Sequence, residues 1–210
     1  MNDDVRARFE AALALEHETE RKLVVVSIID ELVQRIGFRA IVIGGLAVEF
    51  WTHGRYSTSD IDLYLPHGPA VDDLLGSIGF VREGRHWVLR DHDLFVEAPA
   101  SFPADEEEVA EVTLRGGETV LLLSAEDVLI YRLHEFLGTG HADVAEQCVA
   151  LLAAEDLDYA RLVRRSEDER ITPTLVALEQ VAQRLRRGEQ VETYELHEIS
   201  KALGRDEYDG

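Results

Sequence analysis

Lysine, cysteine and long apolar runs are what this 210-residue chain has least of. Only Lys22 and Lys201 among its 21 basic residues are lysines, while Asp and Glu number 42, giving a formal charge of −21. Wholesale binding to a phosphate backbone, which Lys and Arg drive, is therefore disfavoured. Nucleic acid is left only a local basic patch. The single cysteine, Cys148, cannot form an internal disulfide or anchor a structural zinc by itself. It sits in the apolar stretch CVALLAA and reads as core. No apolar run approaches the ~18 residues of a membrane span, and the opening MNDDVRARFE is too acidic and polar for a secretory signal. The expectation is a cytoplasmic, acidic protein with no membrane association.

The rest of the composition suffices for a core, at 46% hydrophobic residues. Residues 4–36 carry apolar positions at helical spacing with few breakers, and Gly37 suits a helix end. Ala40–Ile43 is a short β-branched run that ends in Gly44-Gly45, a strand passing into a turn; Leu46–Thr52 then suits a helix. Ile61–Leu65 alternates with acids and stops at Pro66, a second strand. A helix is expected over 69–78. Strands are expected at Trp87–Leu89 and Leu94–Val96, around a tight turn at Arg90–His92. Asp105–Glu111 is an acidic loop or helix start, and Val112–Leu114 with Thr119–Leu123 reads as a hairpin about Gly116-Gly117. From Ser124, where Ser124-Ala-Glu-Asp127 fits a capping box, helical periodicity runs to about residue 204, with interruptions at Gly138, Gly140 and Pro173. The expected organisation is an α/β (α+β) part at 1–123, a small mixed sheet with flanking helices, and a helical part at 124–210.

Chemistry concentrates between residues 43 and 63. Asp60 and Asp62 are two apart on an expected strand, so their carboxylates share a face. Like charges so placed repel unless a cation lies between them, and hard carboxylate oxygens suit Mg²⁺. Gly44 and Gly45 close the preceding strand with no side chain in the way, so backbone N–H groups and a helix N-terminus can approach phosphates. Either feature alone is commonplace: a glycine pair is usually a turn, and Asp-x-Asp is usual on solvated strands. Their order, with Asp60 following Gly45 by 15 positions and a strand before each, describes a metal-bound nucleoside triphosphate.

This segment, I43-GG-LAVEFWTHGRYSTS-DIDL63, resembles the nucleotidyltransferase superfamily motif of hydrophobic residue, Gly-Gly or Gly-Ser, spacer, and Asp-hydrophobic-Asp. GR-x-ST-x-DIDL is similar to the branch that holds AbiEii-type and MenT-type toxin nucleotidyltransferases. The resemblance covers residues 40–65 well and extends loosely to SAEDVLIYRLHEF. It implies the fold of a polymerase-β-like catalytic domain, Mg²⁺ (or Mn²⁺) as cofactor, an NTP as substrate, and a tRNA, protein or small-molecule hydroxyl as acceptor. In the toxin branch it implies a separate antitoxin protein. It also implies a third carboxylate on a neighbouring strand; Glu97 and Asp93 both offer one, Glu97 being favoured for its place in LFVEAP. Asp60, Asp62 and Glu97 then hold metal and act in catalysis, while Gly44, Gly45, Arg55, Thr58 and Arg132 contact the nucleotide. Arg132 stands where the family usually has lysine, and Asp143 is a candidate partner for it. The arginines at 161, 164, 165, 184, 186 and 187 could grip RNA or form a solvated helix face; a non-catalytic module that keeps the fold is the alternative function.

Overall fold

Two charged residues set into the apolar sequence of the first long helix organise this end of the fold. In the computed structural model, which describes residues 3–154 and 157–206, helix α1 (Asp3–Leu13) and helix α2 (Glu18–Gln34) replace the single helix expected over 4–36. The chain breaks at His17, whose extended backbone starts α2. No proline or glycine marks the break, so periodicity alone runs through it. Leu23–Val26, Ile28, Ile29, Leu32 and Val33 of α2 are buried. Gly37, at φ +83°, turns the chain, and the Phe38 N–H reaches back to the Val33 carbonyl at 3.1 Å. Asp30, itself buried, then ties α2 to the next strand: it accepts from the Ala40 N–H at 2.7 Å and from the Arg39 fork at 3.0–3.1 Å.

The strands are β1 (Ile41–Ile43), β2 (Asp60–Tyr64), β3 (Val81–Glu83), β4 (His86–Leu89), β5 (Leu94–Ala100), β6 (Val109–Thr113) and β7 (Thr119–Leu123). They form one seven-stranded mixed sheet in the order β3-β4-β5-β2-β1-β7-β6. β2 runs antiparallel to β1 and parallel to β5, and β1 runs parallel to β7. Helix α3 (Gly44–Trp51) leaves β1 directly and α4 (Pro69–Ser77) follows β2. Ile61, Leu63, Val96, Val120 and Leu122 are fully buried by alternation on one sheet face; α2 packs on β7, α1 and α4. Trp87 is also fully buried, its indole N–H donating to Asp72 at 2.8 Å. β3 was not expected from sequence, because three residues are too few to show a period. The hairpin strand β6 starts at Val109, inside the stretch read as an acidic loop. This is an α/β protein with a seven-strand mixed sheet, flanking helices and a C-terminal helical region.

Contacts divide the described residues into two units: those up to Phe50 with Ser57–Ser124, and Trp51–Tyr56 with those from Ala125 on. The second unit holds α5 (Ala125–Thr139), α6 (Ala142–Ala154), α7 (Tyr159–Asp168), α8 (Thr172–Arg186) and α9 (Thr193–Asp206). Gly138 lies within α5, Gly140 turns the chain after it at φ +66°, and Pro173 sits in the first turn of α8, where its missing N–H costs nothing. Among the described residues no helix is long and apolar enough to cross a membrane.

The helical unit is built around Asp127. This carboxylate is fully buried and held by Arg161 and Arg165, each at 2.5 Å. Arg165 also binds Glu169 at 2.6 Å, which in turn meets His134 at 2.6 Å. Burial acts to raise the Glu169 pKa, but its hydrogen bonds to Arg165 and His134 prevail and hold it below the ordinary value. Cys148 is completely buried in α6, and desolvation pushes its thiol well above the usual range. Asp127→Ala would remove the buried carboxylate that Arg161 and Arg165 share, at a cost of about 3–5 kcal/mol. Denaturant unfolding measures that loss. The buried Cys148 thiol supplies a second readout: it is expected to be unreactive to Ellman's reagent in the native protein and to react faster in Asp127→Ala. A variant as stable and as unreactive as the parent would contradict this account.

Candidate carboxylate and glycine site

Backbone register brings the predicted acids onto one sheet face. Along β2, Asp60 and Asp62 are half-buried while Ile61 between them is fully buried, as a strand with one covered face requires. Pairing sets Asp62 beside Ile43 of β1 and beside Glu97 of β5, and Asp60 beside Phe95. Residues paired this way point to the same face, so Asp60, Asp62 and Glu97 share it. Asp93 does not: it precedes β5, in a left-handed turn at φ +48° that closes a short 3₁₀ segment. The expectation of Asp93 and Glu97 on one strand is corrected, because that strand starts only at Leu94.

Gly44 and Gly45 do something narrower than make a turn. A Cβ at Gly44 would stand 2.1 Å from Asp62 Oδ2, and Gly44 itself takes φ +59°. The Gly45 N–H, in the first turn of α3, points at the same oxygen across a long 3.4 Å. A Cβ at Gly45 would stand 2.6 Å from Thr58 Oγ1. The absent side chains therefore let the Asp62 carboxylate and Thr58 lie against the start of α3, where the helix dipole is positive.

A buried ion pair holds the approach to Asp60. Lys22, 1% exposed, donates to the Thr58 carbonyl and stands 2.8 Å from Glu18 and 3.7 Å from Glu49. Glu49, on α3 and 3% exposed, accepts from the Thr58 N–H at 3.1 Å and from the Thr19 hydroxyl. Both backbone groups of Thr58 are thus engaged by one buried pair. The hydrogen bond to Lys22 is the main reason that Glu18 titrates below the ordinary carboxylate value. The Ser59 hydroxyl donates to Asp60 Oδ1 at 3.1 Å. Sequence reasoning missed Lys22 and Glu49; the available signals were the lone charge of Glu49 inside the apolar run GGLAVEFW and the place of Lys22 directly before the apolar run Leu23–Val26.

Glu97 is engaged elsewhere. His86 Nε2 lies 3.0 Å from one of its oxygens and Arg85 Nη1 3.2 Å from the other. Both come from the β3–β4 hairpin, of which only the β4 arm, expected at Trp87–Leu89, carries a sequence signal. Among the described residues no three His, Cys, Asp or Glu side chains gather to hold a metal ion. Arg55 and Arg132 belong to the helical unit. Arg55 lines a groove of about 210 Å³ with Glu146, Val149, Leu185 and Leu196, and Arg132 is ion-paired with Glu135 on its own helix. Asp143 is exposed in the first turn of α6. The arginine clusters are largely spent on carboxylates: Arg161 and Arg165 on Asp127, Arg184 on Glu189 and Glu195, Arg186 on Glu179, and Arg187 on Glu189.

Compared with known proteins, the chain matches no family model, no curated protein and no solved structure.

The glycine contact has a controlled test. Gly37 also has a positive φ, of +83°, but a Cβ there would meet nothing within 4 Å. Gly37→Ala thus measures backbone strain alone, roughly 1–2 kcal/mol. Gly44→Ala adds the displacement of Asp62 and is expected to destabilise by clearly more than Gly37→Ala in denaturant unfolding. Equal losses would mean that Asp62 is not seated against Gly44.

Proposed function

We propose that this chain is a Mg²⁺-dependent nucleotidyltransferase that moves an NMP from an NTP to an acceptor hydroxyl. The observation that carries the reading is Asp62 seated on the Gly44–Gly45 start of α3, with Asp60 two residues before it on the same face. Two half-exposed carboxylates suit Mg²⁺, which keeps several waters and is completed by substrate phosphates rather than by an all-protein cage. Asp60 and Asp62 are the residues that would hold it. When bound with a nucleotide, the ion would neutralise triphosphate charge and make an acceptor hydroxyl more acidic.

The chain's own residues account for the remaining requirements. Gly44 and Gly45 keep the mouth of α3 clear for phosphate oxygens. The Lys22–Glu49 pair fixes Thr58, and with it the entry to β2, so that the two aspartates do not have to be ordered when substrate arrives. Glu97, in register with Asp62, is the carboxylate available to take the acceptor's proton, provided that it leaves Arg85 and His86. That ion pair favours a second reading, a nucleotide-binding module without turnover. As to the acceptor, a charge of −21 and arginine clusters already paired with carboxylates favour a protein or small-molecule hydroxyl over tRNA. A toxin of this kind would be matched by an antitoxin protein.

Incubation with Mg²⁺ and each of the four α-labelled NTPs, with and without total tRNA, tests the proposal. Label is expected to pass to protein, RNA or an added small molecule, to stop with EDTA, and to stop in Asp60→Ala and Asp62→Ala variants that keep the parent's circular dichroism. Mg²⁺-dependent NTP binding without transfer would support the binding module instead. Neither binding nor transfer would overturn both readings.

A further inference from the structure

We propose that the free edge of the sheet at β6 binds an extended, basic peptide segment of a partner protein by strand addition. The proposal is independent of the nucleotidyl-transfer reading, since it uses no residue of the carboxylate and glycine site. Three observations converge on it.

The first is the edge itself. β6 pairs through all five of its residues with β7 and with no other strand among the described residues, so one side of its backbone offers unpaired N–H and C=O groups. Edges of this kind are usually blunted by charged side chains, lysine above all, by proline or by a bulge, and β6 carries one charge, Glu111. Val109-Ala-Glu-Val-Thr113 contains no lysine and no proline, and its register with β7 is regular. Main-chain hydrogen bonding to such an edge is an established way of holding an extended peptide.

The second is an apolar foothold. Phe102, in the connection that leads into β6, is 62% exposed and lies against Phe38, with ring centroids 6.1 Å apart. Ile36 and Val109 are 36% and 38% exposed. Phe38 lies three residues before β1, which only β7 separates from β6 in the sheet. A bound peptide would bury the exposed face of Phe102, and large aromatic side chains are among the common anchors of interfaces.

The third is charge, and it selects the occupant. Asp105, Glu106, Glu107 and Glu108 lead directly into β6, and Glu111 stands exposed at its centre. A second copy of the chain pairing edge to edge would bring two such rims together, and each chain carries −21. An acidic partner or a nucleic acid meets the same repulsion. A strand with Lys or Arg at alternate positions and apolar residues between them would set cations against the charge of Glu111 and the acidic lead-in, and apolar groups against Phe102.

The probe is a fluorescein-labelled peptide, acetyl-Lys-Val-Lys-Val-Lys-Tyr-Lys-amide, titrated with the full chain at low salt by fluorescence anisotropy. Three control peptides accompany it: one with Glu for Lys, one with the same composition but N-methylated at alternate residues, and one with the order scrambled. Binding is expected to weaken at least tenfold for the Glu and N-methylated peptides, and at least threefold for the parent peptide with Phe102→Ser or Glu111→Lys. Hydrogen exchange is expected to slow at the amides of 109–113 when the peptide is present. No binding, equal binding by the N-methylated or scrambled peptide, or protection at another segment would overturn the proposal. So would a chain that sediments as a dimer through this edge and loses the dimer in Glu111→Pro.

Discussion

An ammonium group cannot be left in a protein interior without partners, and Lys22 is buried almost completely. Its partners are drawn from three places: Glu18 on its own helix, Glu49 on α3, and the Thr58 carbonyl on the segment that leads into β2. Removing a lysine and a glutamate from water costs nearly what their attraction returns, so a pair of this kind adds little net stability. What it does is exclude alternatives. A one-residue slip of β2 would turn Asp60 and Asp62 to the packed face and Ile61 out of it. It would also pull Thr58 off both Lys22 and Glu49. The buried pair and the apolar alternation of β2 therefore enforce the same register, and the positions of both aspartates follow from it.

The glycine pair works from the other side. In the first reading of such a motif, the glycines serve an incoming phosphate. Here they first serve Asp62, whose carboxylate occupies the space that a side chain on residue 44 would need. One small-residue requirement thus meets two needs, close packing of a carboxylate and an open helix start. Glu97 is arranged on a different principle. Its backbone is in register with Asp62, but its oxygens are taken by a histidine and an arginine from a short hairpin. The two aspartates are placed by the core of the sheet; the third acid is placed by partners near the surface, one of which, Arg85, is largely exposed.

Much of this was legible in the sequence because it depends on local pattern. The β-branched run before Gly44, the alternation through Ile61 and Leu63, and the hairpin around Gly116-Gly117 each signal themselves within a few residues. What the sequence hid depends on distance along the chain. The break between α1 and α2 has no proline or glycine to announce it. β3 is three residues long and exists because β4 pairs with it. The placement of Asp93 turned on a strand boundary one residue away, and boundaries are the least local feature of a strand. Lys22 and Glu49 are 27 positions apart, the pair of Arg85 with Glu97 is 12 apart, and Asp127 lies 34 and 38 positions from its two arginines; no spacing rule links such residues. The arginine clusters illustrate the same limit, since their carboxylate partners come from other turns and other helices.

The central claim is that Asp60 and Asp62 form a divalent-cation site completed by a nucleotide. A crystal structure of the chain grown with Mn²⁺ and a non-hydrolysable nucleoside triphosphate tests it most directly, because manganese gives an anomalous signal that identifies it without regard to model bias. The account predicts an anomalous peak bound by both aspartates and by phosphate oxygens, with the triphosphate against Gly44 and Gly45. A nucleotide bound at any other place, or no manganese at these two carboxylates, would contradict it.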